Sequence, residues 1–278
     1  MADTIILTGA KGTVGIPAAK RLLEKHPQFT VIFTVRNDSQ DDANTQNLRK
    51  AISRHPNAKA AIYKVYLANL SVVHEFTNKV SAAIAAGDYP PLRSIICCAA
   101  YWDLAMDSET TVDGYDKSMA VNHISHVVLV LRLVGSFAPE GRVVLFSSIA
   151  HYLYASSKLM ITTWIYPFNR YLQQDPKLKN ITVVAINPGG LGFIMKPLMT
   201  AIHYLVDPTF RSSAEAASDV VELAVNNTHP GERGYFTLLK KDASDSITMN
   251  ERVQQRVWKK SLEWARITKD NTKLKEAV

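Results

Sequence analysis

The sequence predicts an α/β fold in which helices flank a doubly wound parallel sheet within a single domain. Three observations predict it: the chain has 278 residues, short apolar segments alternate with longer helical patterns, and most of the apolar segments are continuous. Continuous apolar strands are typical of a parallel sheet covered by helices on both faces. We therefore expect one domain over residues 1–278, with its core in 1–190 and a covering segment, last strand and C-terminal helix in 191–278.

Six strands and five helices are predicted in the core. The strands are rich in Val, Ile, Leu and Phe, and they lie at Thr4–Thr8, Thr30–Arg36, Ala61–Leu67, Arg93–Ala99, Arg142–Ser147 and Ile181–Asn187. Helices are predicted near 13–25, 40–54, 71–86, 110–137 and 152–174. An apolar segment at Met195–Val206, a helix at 213–226, a strand near 234–239 and a basic helix near 249–266 follow them.

Composition and charge exclude several classes of protein. A hydrophobic content of 47% excludes disordered and collagen-like chains. The net charge of +7 indicates an anionic partner, but the C-terminal lysines lack the interleaved aromatic residues of a nucleic-acid surface. Cys97 and Cys98 are adjacent, so we expect neither a disulfide framework nor a zinc site. No signal-peptide pattern and no apolar run of membrane-spanning length is present, so we expect a cytoplasmic protein.

The first predicted strand leads into a glycine-rich turn before a helix. Glycines at this point permit a tight turn and let the backbone approach a pyrophosphate at the N-terminus of the helix. The position of the turn, directly after the first strand, favours dinucleotide binding over a plain glycine turn. The residues of the turn are Thr8, Gly9, Ala10, Lys11, Gly12, Thr13, Val14 and Gly15.

The end of the second predicted strand favours NADP(H) as the dinucleotide. A cofactor with a free ribose 2′-hydroxyl calls for Asp or Glu here, whereas this chain has Arg36 followed by Asn37. A guanidinium can bind a 2′-phosphate with two hydrogen bonds, and Lys11 can add a second positive charge. Asp38 is the one feature that favours NAD(H), and a solvated strand end is the alternative interpretation of Arg36.

A tyrosine and a lysine, Tyr154 and Lys158, stand four residues apart at the start of a predicted helix. This spacing puts the phenol and the ammonium on one face. The ammonium, with an oxidised nicotinamide ring, lowers the pKa of the phenol, so Tyr154 can act as a general acid or base. Upstream, Ser148 ends a buried strand, where its hydroxyl can bind a substrate carbonyl.

Together these motifs resemble those of the short-chain dehydrogenase/reductase superfamily, whose fold is Rossmann-like. The resemblance covers nearly the whole chain, and the residues that carry it occur in the family's order: Gly9, Gly12, Gly15, Asn122, Ser148, Tyr154, Lys158, Asn187, Pro188 and Gly189. It implies that Tyr154 protonates the carbonyl oxygen while Ser148 orients that carbonyl. Lys158 is implied to bind the nicotinamide ribose, and Asn122 to hold the water of a proton relay.

The same resemblance implies which residues bind the cofactor. They are Thr8, Gly9, Lys11, Gly12, Thr13, Val14, Gly15, Arg36, Asn37, Tyr66, Leu67, Cys98, Ala99, Ala100, Tyr154, Lys158, Pro188, Gly189 and Leu191. Residues 255–261 are similar to the C-terminus of the retinol-dehydrogenase-like branch. Residues 152–174 are similar to fungal secondary-metabolism reductases.

Several positions depart from the family's pattern. Tyr66 replaces the usual Asp after the third strand, so the adenine loses an acceptor and can find an aromatic face instead. Cys97 and Cys98 replace two amides but keep side chains small, and we expect both thiols to be buried packing groups. Phe193 replaces a Thr near the cofactor. The glycine spacing is that of the extended members of the superfamily.

One spacing is unusually short. Six positions separate Ser148 from Tyr154, whereas the family has about a dozen or more, although an extended chain of this length still reaches about 20 Å. The segment after Gly190 is also shorter than in the retinol-dehydrogenase-like branch. We therefore expect residues of the substrate-covering loops to be missing at both places, either because evolution has shortened the loops or because the residues are absent from the sequence as given.

Four further side chains have both a structural and a functional interpretation. We expect His123 and His126 to be packed histidines rather than metal ligands, because no carboxylate accompanies them at metal spacing. Tyr101 and Trp102, just after the fourth strand, are expected to line a substrate pocket, with closure of the core edge as the alternative.

The sequence thus favours an NADPH-dependent reductase of a ketone or aldehyde on a lipophilic small molecule, or the reverse oxidation. Two other functions stay open. The substituted cofactor positions allow an NADP-binding regulator or scaffold without reductase activity, and the glycine spacing allows an extended-type epimerase or dehydratase. The oligomeric state is open between a monomer and a homodimer.

Overall fold

The computed structural model describes residues 3–102, 109–148, 156–190, 209, 211–225 and 228–278. Its strands are β1 Thr4–Leu7, β2 Thr30–Val35, β3 Lys59–Lys64, β4 Leu92–Cys97, β5 Phe137–Phe146, β6 Thr182–Asn187, β7 Gly234–Thr237 and β8 Lys240–Lys241. They form one sheet in the order β3-β2-β1-β4-β5-β6-β7-β8. All neighbouring strands are parallel except the last pair.

Seven helices of the described part cover the sheet. They are α1 Gly15–Lys25, α2 Ala43–Ser53, α3 Leu70–Ala86, α4 Lys117–Ser136, α5 Ser156–Gln174, α6 Ser213–Val225 and α7 Glu251–Trp264. Within α4, Ala120–Ile124 is a π-helical turn.

Each face of the sheet carries its own apolar core. Ile6 packs with the helices α3, α4, α5 and α7 on one face, while its neighbour Ile5 packs with α1, α2 and α6 on the other. This alternation buries both faces of the central strands and confirms the predicted doubly wound α/β fold. The division into a core at 1–190 and a covering region at 191–278 stays a prediction.

Two predicted strands differ from the structure in extent. β3 ends at Lys64 rather than at Leu67, and its residues are half-buried or exposed because it is the edge of the sheet. β5 begins at Phe137 rather than at Arg142, and a register shift against β4 accommodates the extra residues.

The predicted helix at 110–137 begins later than expected. Asp113 and Gly114 form a turn, in which Gly114 has a φ of +81°, and Thr110 pairs with Asp116 in an isolated bridge. The Asp116 carboxylate then accepts a hydrogen bond from the backbone N–H of Met119 at 2.9 Å and caps α4. Helix formation therefore starts at Lys117.

The C-terminal helix α7 holds α5 against the sheet. The Trp258 ring is fully buried and stacks on Trp164 at a centroid distance of 5.6 Å, with Phe168 at 5.9 Å. The Trp258 indole N–H donates to the Ala277 carbonyl at 2.8 Å. Aromatic stacking and burial of this size resist separation of the two helices, so α7 fixes the helix that carries Lys158.

The helix α4 is long and apolar enough to cross a membrane by length and composition. Of its most apolar window, 78% is buried inside the protein. Such burial is typical of the core helix of a packed sheet.

His123 and His126 are buried on α4, as expected of packed histidines. His123 Nε2 lies 2.7 Å from Ser261 Oγ on α7, and His126 Nε2 lies 3.2 Å from Thr8 Oγ1. Burial lowers the pKa of each imidazole to about 3. Both rings are therefore neutral at the pH of the cell.

The lowered pKa values of His123 and His126 predict that the folded protein is less stable in acid. Below about pH 6.5 the unfolded chain takes up protons that the folded chain excludes, so the free energy of unfolding falls as the pH falls. We expect a loss of roughly 2 kcal/mol for each histidine at pH 5, measured by urea unfolding between pH 7.5 and 5. His123→Gln reduces the slope of the unfolding free energy against pH, because it removes one of the two buried imidazoles. A slope unaffected by His123→Gln contradicts this origin.

Candidate active site

A cleft of about 460 Å³ lies at the carboxyl ends of β1 to β5. β1 and β4 are neighbours there without being consecutive, which makes this the switch point of the sheet. Ligands of open α/β sheets bind at such a point. The cleft is lined by Gly9, Lys11, Gly12, Thr13, Val14, Thr34, Val35, Arg36, Asn44, Val65, Tyr66, Leu67, Cys98, Ala99, Ala100, Tyr101, Lys117, Val121 and Phe146.

Most of the residues predicted to bind the cofactor line this cleft. They are Gly9, Lys11, Gly12, Thr13, Val14, Arg36, Tyr66, Leu67, Cys98, Ala99 and Ala100. Others are described but are not part of its lining: Thr8, Gly15, Asn37, Lys158, Pro188 and Gly189. Tyr154, Leu191, Phe193 and the segment Met195–Val206 lie outside the described residues.

The glycine turn brings the ends of β1 and β4 together. Gly9 has a φ of +64°, and a Cβ atom built on it would lie 2.8 Å from the Cα of Ala99. A Cβ atom on Gly15 would lie 2.2 Å from the Gly9 carbonyl oxygen. Thr8 Oγ1 accepts a hydrogen bond from the Ala99 N–H at 3.1 Å. Only glycine fits at Gly9 and Gly15 without a backbone shift.

The N-terminus of α1 is open toward a ligand. Its N-cap residue, Val14, makes no capping hydrogen bond through its side chain, and the first turn contains no acidic residue. A helix N-terminus without a cap presents backbone N–H groups and a partial positive charge. Since Gly12, Thr13 and Val14 also line the cleft, the turn can bind a pyrophosphate there.

The structure corrects the expectation for Lys11. Its ammonium is not available as a simple second cation, because it donates to Asp42 Oδ2 at 2.7 Å and to the Asn37 carbonyl at 3.1 Å. The hydrogen bond from Lys11 lowers the pKa of the Asp42 carboxyl to about 2. Asp42 also caps α2 by accepting from the Thr45 N–H at 2.8 Å. Sequence reasoning missed Asp42, although an Asp directly before a helix is a known N-cap signal.

Arg36 is exposed at the cleft, as expected for a phosphate-binding residue. No ion pair involves it within the described residues. Asp38 pairs with neither Lys11 nor Arg36 among the described ion pairs: its carboxylate lies 4.0 Å from Lys64 Nζ, and its carbonyl accepts from Arg49. The residue that competes for positive charge beside the cleft is therefore Asp42 rather than Asp38.

Two tyrosines and a lysine form the wall opposite the glycine turn. Tyr66, 39% exposed, is available as an aromatic face, as expected from its replacement of an Asp. The Lys117 ammonium lies 4.5 Å from the centroid of the Tyr101 ring and pairs with Glu109. Tyr101 thus lines the cleft as predicted, whereas Trp102 is 69% exposed and is not part of the lining. Sequence reasoning did not single out Lys117.

Asn122 joins the end of β4 to α5. Its side chain accepts from the Tyr101 N–H at 2.7 Å and donates to the Tyr101 carbonyl at 2.8 Å and to Ser157 Oγ at 3.1 Å. A side-chain amide that pairs with both polar groups of one residue acts like a strand neighbour. Asn122 therefore fixes the backbone beside the cleft.

Lys158 is placed close to the end of β5. Its ammonium donates to the Phe146 carbonyl at 2.7 Å, and burial lowers its pKa to about 8. Ser148, two residues beyond Phe146, is half-buried at the same strand end. Two of the predicted catalytic residues thus lie at the same edge of the sheet, whereas the position of Tyr154 relative to them lies outside the described residues.

The turn after β6 is tightly built around a second glycine. Gly189 has a φ of +88°, and a Cβ atom there would lie 2.2 Å from the Thr209 carbonyl oxygen. Asn187 Oδ1 accepts from the Gly189 N–H at 3.1 Å, and Arg211 Nε donates to the Pro188 carbonyl at 2.9 Å. The positive φ and the lack of space at Gly189 therefore require glycine, and the Asn187 side chain stabilises the turn.

The two cysteines differ in burial, since Cys97 is buried as expected whereas Cys98 is half-buried and lines the cleft. Cys97 and Cys98 are free, and burial raises the pKa of both thiols, that of Cys98 to about 12. Neither is therefore a reactive thiolate. Among the described residues, no group of three or more His, Cys, Asp or Glu side chains could hold a metal ion.

Comparison with known families agrees with this geometry. The family model described as short chain dehydrogenase matches residues 3–197. The chain belongs to the short-chain dehydrogenase family. A second family model, the AcuH dehydrogenase domain, matches residues 186–274 of this short-chain dehydrogenase. The resemblance predicted from the motifs is therefore confirmed.

Individual relatives of this short-chain dehydrogenase include fungal and animal enzymes. Short-chain dehydrogenase iccH of Talaromyces variabilis is 24% identical over 367 aligned positions, which cover 98% of each chain. Human retinol dehydrogenase 13 is 25% identical over 93% of this chain and 83% of its own length. A short chain dehydrogenase from Burkholderia cenocepacia, solved in complex with NADP, is 18% identical with a TM-score of 0.66, over 84% of this chain and 96% of its own.

The glycine turn generates a stability prediction. Gly9→Ala is expected to lower the free energy of unfolding by more than 2 kcal/mol, because it adds a clash with Ala99 to the strain of a positive φ. Gly87→Ala is the matched control, since Gly87 has a φ of +83° and open space around its Cβ position. We expect the control to lose only about 1 kcal/mol in urea unfolding. Equal losses of unfolding free energy in the two variants would show that the close approach of Gly9 to Ala99 does not affect stability.

Proposed function

We propose that the protein is an NADP(H)-dependent oxidoreductase that reduces a ketone or aldehyde on a lipophilic small molecule, or oxidises the corresponding alcohol. The observation that carries the proposal is the glycine turn, in which Gly9 lies against Ala99 and the uncapped N-terminus of α1 opens on the cleft. Backbone that approaches this closely leaves space for a pyrophosphate beside the partial positive charge of the helix N-terminus.

The residues that line the cleft suit the pyrophosphate, the adenine and the space beside the nicotinamide ribose of a dinucleotide. Gly12 and Thr13 would hold the pyrophosphate, Tyr66 and Leu67 the adenine, and Ala99 and Ala100 the space beside the nicotinamide ribose. When bound, the nicotinamide supplies or accepts a hydride. The small side chains after β4 leave room for it.

The charge at the end of β2 supports NADP(H). Arg36 is exposed at the cleft and has the fork of donors that binds a phosphate with two hydrogen bonds. The Burkholderia cenocepacia neighbour, which shares this fold, was solved in complex with NADP.

The chain's own residues supply the positioning and the proton. Lys158 holds an ammonium 2.7 Å from the Phe146 carbonyl, at the strand end that carries Ser148. A positive charge at this point lowers the pKa of a nearby phenol. We assign to Tyr154 the transfer of a proton to the substrate oxygen, to Ser148 the hydrogen bond that orients that oxygen, and to Asn122 the support of the proton path.

A lipophilic substrate is supported by the wall of the cleft and by a relative. Val121 and Phe146 present apolar side chains, and Tyr101 adds an aromatic ring. Human retinol dehydrogenase 13, whose name gives retinol as its substrate, is similar over 93% of this chain. We extend the proposal to secondary metabolism because residues 152–174 are similar to fungal secondary-metabolism reductases, and iccH is a fungal relative.

The test is NADPH oxidation with a panel of hydrophobic ketones and aldehydes. We expect turnover by the unmodified chain and a loss of at least about 100-fold in kcat for Tyr154→Phe, because general acid catalysis contributes roughly 10²–10⁴-fold. NADPH should still bind, because the glycine turn and the other residues that line the cleft are kept. Tyr166→Phe is the matched control, because Tyr166 lies on α5 outside the lining of the cleft and its hydroxyl bonds to Ser244 Oγ. This variant should keep full turnover.

Two results contradict the proposal. Unchanged turnover by Tyr154→Phe would remove the role given to Tyr154. Binding of NADPH without turnover of any carbonyl in the panel would instead favour a cofactor-binding protein that does not reduce carbonyls.

A further inference from the structure

The loop between β2 and α2 is folded around one carboxylate. Asp42 accepts from Lys11 Nζ through Oδ2 at 2.7 Å and from the Thr45 N–H through Oδ1 at 2.8 Å. Thr45 Oγ1 and Lys11 Nζ both donate to the Asn37 carbonyl, at 2.7 and 3.1 Å. The side chain of Lys11 is therefore tied to this loop by two acceptors.

Two of the cations that line the cleft, Lys11 and Arg36, therefore differ in their partners. The Lys11 and Asp42 side chains are only 15% and 21% exposed, so their pair is partly shielded from water. Arg36 also lines the cleft but makes no ion pair within the described residues. A phosphate dianion beside Arg36 would meet one cation that is unpaired and one that already has a carboxylate neighbour.

We propose that Asp42 is a specificity-determining residue that weakens the preference of the cleft for NADP(H) over NAD(H). The proposal rests on the proposed function, because it concerns the same cofactor site. Asp42 offsets the charge of Lys11 and repels a 2′-phosphate, whereas a ribose 2′-hydroxyl carries no charge and is hardly affected. The cleft therefore accepts both cofactors within a modest ratio of affinities.

Asp42→Asn separates this electrostatic role from the structural one. Asparagine is as good an N-cap as aspartate, so the bond to the Thr45 N–H and the start of α2 are kept. Its NH2 group takes the place of Oδ2 and cannot accept from Lys11, so the ammonium loses this acceptor as well as the neighbouring negative charge. The substitution thus removes one negative charge with little change in the fold of the loop.

The experiment measures equilibrium dissociation constants for NADPH and NADH by fluorescence titration at low ionic strength. We expect Asp42→Asn to bind NADPH roughly 10-fold more tightly and NADH within about 2-fold of the unmodified chain. The gain in NADPH affinity should be smaller in 0.5 M salt, because salt screens the interaction between partly exposed charges. Asp41→Asn is the matched control, because it removes the same charge from a neighbouring exposed residue that makes no contact with Lys11, and it should leave the NADPH/NADH ratio unchanged.

The outcomes distinguish this proposal from the proposed function. An unchanged or lowered NADPH/NADH affinity ratio in Asp42→Asn, with both cofactors still bound by the unmodified chain, overturns the role of Asp42 alone. An equal gain in NADPH affinity in Asp41→Asn also overturns the role of Asp42, since the removal of any nearby negative charge would then explain the gain. Failure of the unmodified chain to bind either cofactor overturns the proposed function together with it.

Discussion

The close approach of Gly9 to Ala99 is the constraint on which the rest of the site depends. At the switch point of the sheet, β1 and β4 end side by side, and a Cβ atom at Gly9 would lie 2.8 Å from the Ala99 Cα. Thr8 reinforces the contact by accepting the Ala99 N–H and by touching His126 on α4. Because nothing larger than hydrogen separates the two backbones, the cleft stays open above them and the N-terminus of α1 faces it.

The packing of α7 on α5 positions Lys158 at the end of β5. Trp258 of α7 stacks on Trp164 of α5, and α5 in turn carries Lys158 to the Phe146 carbonyl. The charge of Lys158 is therefore held by a rigid helix rather than by a loop, and burial lowers its pKa to about 8.

Periodicity and motif spacing were sufficient to predict the fold and most of the cleft, because apolar strands and glycine turns are local signals. Gly9, Arg36 and Tyr66 line the cleft as predicted. The pairing of Lys11 with Asp42 could not be predicted, since their separation along the chain hides a contact made only when two loops meet. The late start of α4 escaped prediction because a turn and an N-cap outweighed helical periodicity.

Hydrogen–deuterium exchange of the full chain with and without NADPH tests the central claim most directly. If the glycine turn and the ends of β2 and β4 bind the cofactor, amides in residues 8–15, 35–42 and 97–101 should exchange more slowly with NADPH, while those of α7 should not change. Binding of NADPH that leaves the exchange of residues 8–15 unchanged would contradict the assignment of this cleft as the cofactor site.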